Sequence, residues 1–226
     1  MNTFNQLLHY FSQNGQYVMS QFFRHFLMSI YGVLFAALIA IPLGFWISRH
    51  KKMAVWIIGA ANVLQTIPSL AMLSILMLGL GLGPTTVVAT VFLYSLLPIL
   101  KNTYAGVKSV DDSLLDTGKG MGMTKMQITR MVELPLALSV IMGGIRNALV
   151  VAIGIGAIGT FVGAGGLGDI ITRGVNATDG GAIILAGALP TALMAVIADI
   201  SLGFIEKKLD PTRSKTVLGK TNKYGV

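Results

Sequence analysis

Residues 116–135 read DTGKGMGMTKMQITRMVELP. Charged and hydroxyl-bearing side chains crowd this stretch, whereas the chain on either side is close to uniformly apolar, and that contrast decides the fold. Hydrophobic residues make up 54% of the 226, and charged residues only 12%. Mean hydropathy is +0.73, while soluble domains carry roughly 25% charged residues. Several flanking runs exceed the ~20 residues that cross a hydrocarbon core of ~30 Å. Such a chain belongs in a bilayer, and its polar island belongs in the water beside it. Cysteine is absent, which excludes a disulfide framework and any cysteine-ligated metal. Residues 1–25 lack a basic region followed by an apolar one, so no cleavable signal is expected and the spans themselves direct insertion.

Working outward from the island, the pattern predicts an all-α integral membrane protein of five transmembrane helices. The spans are expected at about 26–47, 53–82, 85–107, 134–162 and 181–205, within a membrane domain over 26–206. Residues 1–25 are read as an interfacial segment and 207–226 as a basic tail. The run 53–82 contains Gln65 and Pro68. Each half, at about 15 residues, is too short to cross alone, so one span broken near Pro68 is expected. Charge sets the orientation. With the N-terminus outside and the C-terminus cytoplasmic, 14 of the 17 Lys and Arg fall inside, as the positive-inside bias requires. Splitting 53–82 into two crossings would instead export Arg49, Lys51 and Lys52. The formal charge of +8 therefore describes orientation and attraction to anionic lipid, and no aromatic-interleaved basic patch suggests nucleic acid.

The island itself, 109–133, predicts a helical hairpin on the cytoplasmic side. Ser109-Val-Asp-Asp112 and Thr124-Lys-Met-Gln127 fit a capping box or its acidic variant, so short helices should begin near Ser109 and Thr124. Gly122 between them suits the left-handed closure of a helix, and Pro135 marks the passage into the fourth span. Asp116, Lys119, Lys125, Gln127, Arg130 and Glu133 would be displayed beside Met121, Met123, Met126 and Met131, a surface suited to a partner's groove. Composition alone leaves an ordinary cytoplasmic loop open as well.

The spacing of Asp116, Gly122 and Leu134-Pro135 resembles the Glu-Ala-Ala loop of ATP-binding-cassette importer permeases. In that loop a glycine lies six residues after the acid and Leu-Pro follows twelve residues after the glycine, and both intervals are met here. Gln65-Thr-Ile-Pro-Ser-Leu-Ala71, Gly120-Met-Gly-Met-Thr124 and Gly163-Ala-Gly-Gly-Leu-Gly-Asp169 are similar to permeases of glycine betaine, carnitine and choline importers. The first and third strings are also similar to methionine-type permeases. The resemblance implies a non-catalytic transport subunit in the cell membrane. A separate ATPase, which binds the ATP and Mg, would grip Asp116, Lys119, Gly122, Lys125, Arg130, Leu134 and Pro135. A second permease, the same or homologous, and an extracytoplasmic binding protein complete the implied complex. In place of Glu-Ala-Ala stands Asp116-Thr117-Gly118. Gly118 weakens a helix by up to ~1 kcal/mol relative to Ala, so the first half of the hairpin is expected to be ordered by the ATPase. A stand-alone secondary transporter or channel is the alternative from another class.

Other motifs are decoys or await geometry. Gly163, Gly165 and Gly168 satisfy a dinucleotide fingerprint but follow a membrane helix instead of a strand. With Gly166 and Asp169 they are expected to form a tight outer gate loop. Gly219-Lys220-Thr221 ends like a phosphate loop, but Ser214 stands where its first glycine is required. His9, His25 and His50 are scattered, expected to be interfacial or solvated, and form no metal site. Arg146 lies near the middle of the fourth span and needs a partner or a watery cavity. Asp199 in the fifth span is the candidate, as a structural pair or as a path residue. Gly154, Gly156, Gly159 and Gly163 permit close helix approach, within the chain or between two permeases. Tyr31, Trp46, Trp56 and Tyr94 read as interface or packing residues and form no cation cage.

Overall fold

A computed structural model describes residues 2–209. The basic tail from 210 onward, including Gly219 to Thr221, lies outside the described residues. Within them every element is helical and there is no strand. Helix α1 spans Thr3–Ser48. It is followed by α2 (Lys51–Thr66) and α3 (Ser69–Leu80), then α4 (Pro84–Lys108). The polar island holds α5 (Asp112–Gly120) and α6 (Lys125–Ile128). A π-helical turn, Thr129–Glu133, joins α6 to α7 (Leu134–Ile158). A 3₁₀ turn (Gly159–Val162), α8 (Leu167–Val175) and α9 (Gly181–Leu209) complete the order.

Helix α1 packs against α4, α7 and α9, and α4 against α7, so these helices enclose the core. Small residues let the backbones close up, as lipid-immersed packing requires. A Cβ at Gly44 would lie 2.6 Å from Thr103, and one at Gly144 would lie 2.9 Å from the carbonyl of Pro98. Any larger residue there would push α4 away from α1 or α7.

Four helices are long and apolar enough to cross a membrane, or five if α2 and α3 form one broken span. The break is sharper than a kink: the two axes bend by 97°. Pro68 has no N–H and Ile67 before it is extended, at φ −70° and ψ 128°, the conformation a following proline favours. Tyr94 compensates for the interruption, its hydroxyl donating to the Ile67 carbonyl. Gln65 Nε2 donates to the Tyr94 carbonyl at 2.8 Å, so α4 pins both sides of the bend.

Two expected boundaries differ. Helix α1 is kinked at Asn14, inside the segment expected to be interfacial, and beyond that kink it runs on to Ser48 with no break at the expected start of the first span. At 1.5 Å per residue the stretch after the kink, 15–48, is about 51 Å long, longer than a hydrocarbon core of ~30 Å. The second arm of the hairpin also continues past its expected end at 133: α6, the π turn and α7 run on as one rod from Lys125 to Val162. Proline's ring crowds the carbonyl four residues earlier, here Met131, and a widened turn relieves that clash without ending the helix.

Candidate functional site

The hairpin is closed at every joint. Its first helix starts two residues later than expected, because the Ser109 hydroxyl donates back to the Gly106 carbonyl at 2.8 Å and closes α4 instead. Asp111 takes over as cap, accepting from the Ser113 N–H at 2.8 Å. That bond holds its carboxyl below the usual carboxylate range. At the other end Gly122 adopts φ +78°. Its N–H donates to Lys119 at 2.9 Å, and the Met123 N–H donates to Gly118 at 3.0 Å, the paired closure of a glycine-terminated helix. Thr124 and Gln127 then form the expected reciprocal capping box.

Gly118 has a packing reason to be glycine. It is buried, and a Cβ there would lie 3.2 Å from Met123 Sδ and 3.5 Å from Ile128 Cγ1. Helix α5 is complete from its Asp111 cap to its glycine closure. The capped ends and the contact under Gly118 outweigh its weak propensity.

Asp116, Lys119, Lys125, Gln127 and Arg130 are exposed along the hairpin, as are Met121, Met126 and Met131. Asp116 and Lys119 pair at 2.8 Å, and this bond holds the Lys119 ammonium above its usual range. Leu134 and Pro135 are half-buried at the start of α7. Glu133 departs from the expected display. It is only 6% exposed and pairs with Arg49 at 2.6 Å, while Arg49 also donates to Thr129 Oγ1 at 2.7 Å. The cationic end of α1 is thereby clamped to the π turn. A stop-transfer arginine followed 84 residues later by a carboxylate gives no local sequence signal.

In the membrane domain Arg146 and Asp199 meet as a two-pronged ion pair, with Nη2 to Oδ2 at 2.6 Å and a second bond from Nε to Oδ1. Glu206 approaches Arg146 Nη1 at 3.8 Å and accepts from Ser139 at 3.4 Å. Ser139 and Arg146 on α7, and Asp199 and Glu206 on α9, are each seven residues apart and so share a helix face. That spacing was a legible signal for Glu206, missed because it sits beside the basic tail. Arg146 and Asp199 each keep 38% of their side-chain surface exposed.

The glycine loop forms a tight turn, with φ +68° at Gly163, +69° at Gly165 and +86° at Gly166. A Cβ on Gly168 would run into the Ala157 carbonyl. No strand precedes the loop among the described residues, so its dinucleotide-like spacing lacks the necessary fold. The N-terminal half of α1 holds the loop instead. Gln21 accepts from the Gly166 N–H at 2.7 Å, and Tyr17 donates to Asp169 at 2.5 Å. Arg173 bonds Asp169 at 2.9 Å and lies 5.0 Å over the Tyr17 ring. These partners were invisible in sequence because they sit about 150 residues away, on a segment expected to lie apart on the surface.

His25 is likewise corrected. It is fully buried, 0% exposed, with Nε2 2.8 Å from the Ile153 carbonyl. Gly156 leaves the space it occupies. His50 matches its expectation of exposure and stacks on Trp46 at 4.7 Å. Gly159 packs on Val87, whereas Gly154 faces open space, so the small-residue run serves the chain's own packing in part. Among the described residues no cluster of His, Asp and Glu has metal-binding geometry.

Comparison with known proteins accords with this architecture. The family described as "Binding-protein-dependent transport system inner membrane component" matches residues 32–211. The carnitine transport permease protein OpuCD of Listeria monocytogenes is 66% identical over 215 residues, covering 95% of this chain and 96% of that protein. The glycine betaine/carnitine/choline transport system permease protein OpuCD of Bacillus subtilis is 63% identical, covering 95% and 94%. In the Bacillus subtilis choline permease OpuBD the identity is 60%. The solved MetNI methionine ABC transporter in an inward-facing conformation aligns with TM-score 0.76 at 19% identity, covering 85% of this chain and 95% of that one. A family match across most of the chain, near-full-length relatives and an ABC-importer fold converge: the chain belongs to the binding-protein-dependent transport system inner membrane component family.

Proposed function

We propose that this chain is the permease subunit of an ATP-driven importer for a quaternary-ammonium osmoprotectant such as carnitine, choline or glycine betaine. The observation that carries the solute class is the 60–66% identity over 95% of the chain to permeases named for those solutes. A methionine-type assignment has only the fold, at 19% identity. The reading includes five crossings with the N-terminus outside, the hairpin and tail in the cytoplasm, and residence in the cell membrane. ATP and Mg are assigned to separate ATPase subunits that dock on 109–133, with Asp116, Lys119, Lys125 and Arg130 as the polar contacts. A second permease and an external binding protein complete the assembly.

Transport in this reading is rigid-body gating of helices around a path, driven by nucleotide at the partner. Uptake of labelled carnitine, choline and glycine betaine by the full complex in proteoliposomes tests it. ATP inside and binding protein outside should both be required, with at least one of the three solutes accumulated. Uptake that persists without ATP would instead establish a stand-alone transporter or channel.

A further inference from the structure

Between the hairpin and the ends of the spans lies a cleft of about 370 Å³, of whose cations the transport reading uses only Lys119 and Lys125. Its walls carry Arg49, Lys51, Lys108, Lys119 and Lys125 against two carboxylates, Asp112 and Glu133. Arg49 is committed to Glu133 and Lys119 to Asp116. Lys51, Lys108 and Lys125 make no ion pair among the described residues. They converge from three elements, the start of α2, the end of α4 and the start of α6. Concentrating cations in one concavity costs repulsion unless an anion relieves it.

The cleft floor is apolar: Val107, Val110 and Ile128 are buried there, with Leu115 beside them. A charged rim over an apolar floor, at the point where membrane helices end, matches an amphiphile better than a small ion. We propose that this cleft binds the phosphate of an anionic phospholipid headgroup, with Lys51 and Lys108 as its principal ligands and Lys125 as the link to the hairpin. Phosphate accepts hydrogen bonds from several ammonium groups at once. Basic residues near an anionic surface are each worth enough that losing two weakens binding on the order of 10-fold or more. The assignment is independent of the solute carried.

Native mass spectrometry of the full chain, titrated with phosphatidylglycerol, phosphatidylcholine or inorganic phosphate, tests it. One phosphatidylglycerol adduct should persist on the wild type and weaken by about 10-fold or more in Lys51→Gln/Lys108→Gln. Lys52→Gln/Lys101→Gln removes the same charge outside the cleft and should retain the adduct. Equal weakening in both double variants, or phosphatidylcholine binding as tightly as phosphatidylglycerol, overturns the site. Displacement of the adduct by millimolar inorganic phosphate keeps the phosphate site but assigns it to a soluble source. Loss of the adduct when the ATPase binds assigns the cleft to a protein partner and also overturns the proposal. Should the double variant unfold, judged by its thermal midpoint, Lys108→Gln alone carries the comparison.

Discussion

At Gly122 the backbone stands at φ +78°, a conformation that costs a residue with a Cβ about 1–2 kcal/mol. Nothing lies within 4 Å of a Cβ there, so the penalty is conformational and no clash contributes. Gly122→Ala should therefore loosen the hairpin alone. Hydrogen exchange across 112–133 is expected to rise by about 10-fold while the spans keep their protection; unchanged exchange would show that the left-handed turn is not limiting. Arg146 and Asp199 behave differently, because removing either leaves the other charged without its partner inside the membrane domain. Each single neutralisation, Arg146→Gln or Asp199→Asn, should reduce folded yield, and only in part, since part of each side chain remains exposed. The double variant should recover that yield. Detergent-resistant monodispersity reads the outcome, and two well-folded single variants would remove the structural role. Intact assembly with lost uptake would identify a path residue.

Among the elements, the α2–α3 break depends on one side chain from outside it. Tyr94 is buried, and its hydroxyl satisfies the Ile67 carbonyl that the bend leaves without a helical partner. Tyr94→Phe is expected to destabilise the fold by about 1–3 kcal/mol, with enhanced exchange confined to 64–70. A thermal midpoint equal to the wild type would show that another donor or water serves that carbonyl. The break itself was legible in Gln65 and Pro68, because proline's effect on the backbone is local. Its 97° angle was not, since it is set by where α4 offers Tyr94. The hairpin follows the same division. Thr124, Gln127 and Gly122 act within a few residues and announced themselves, whereas the burial of Glu133 depends on Arg49, 84 positions earlier. Hydropathy picks out apolar runs, but it cannot see that α1 continues without a break upstream of residue 26 as far as its kink at Asn14, because residues in that stretch bind the distant glycine loop through Tyr17 and Gln21. His25 was misread for a related reason: a lone histidine beside an apolar run looks interfacial until Gly156 on α7 is seen to make room for it.

Across the whole molecule, the hairpin proposed for docking and the membrane core form one continuous piece. The rod from Lys125 to Val162, about 57 Å at helical rise, carries half of the hairpin at one end and the glycine turn at the other. Rotation of the hairpin by a docked partner therefore turns α7 directly, with no flexible linker to absorb the motion. Arg49 and Glu133 extend that motion to α1, and α1 in turn holds the glycine loop through Asp169 and Gly166. If a partner docks on the hairpin as proposed, its stroke would thus reach the glycine loop along two antiparallel helices, α1 and α7. Cutting the clamp should separate hydrolysis from transport. In proteoliposomes containing the complete complex, Glu133→Gln weakens the ion pair while leaving a hydrogen-bonding side chain of the same size. Uptake per ATP hydrolysed should then fall several-fold while the ATPase remains bound. An unchanged ratio would mean that α7 alone carries the stroke and that Arg49 serves only to anchor the end of α1. Loss of the ATPase from the complex would place Glu133 in the docking surface after all, and its burial in the isolated chain would then have to be relieved on binding.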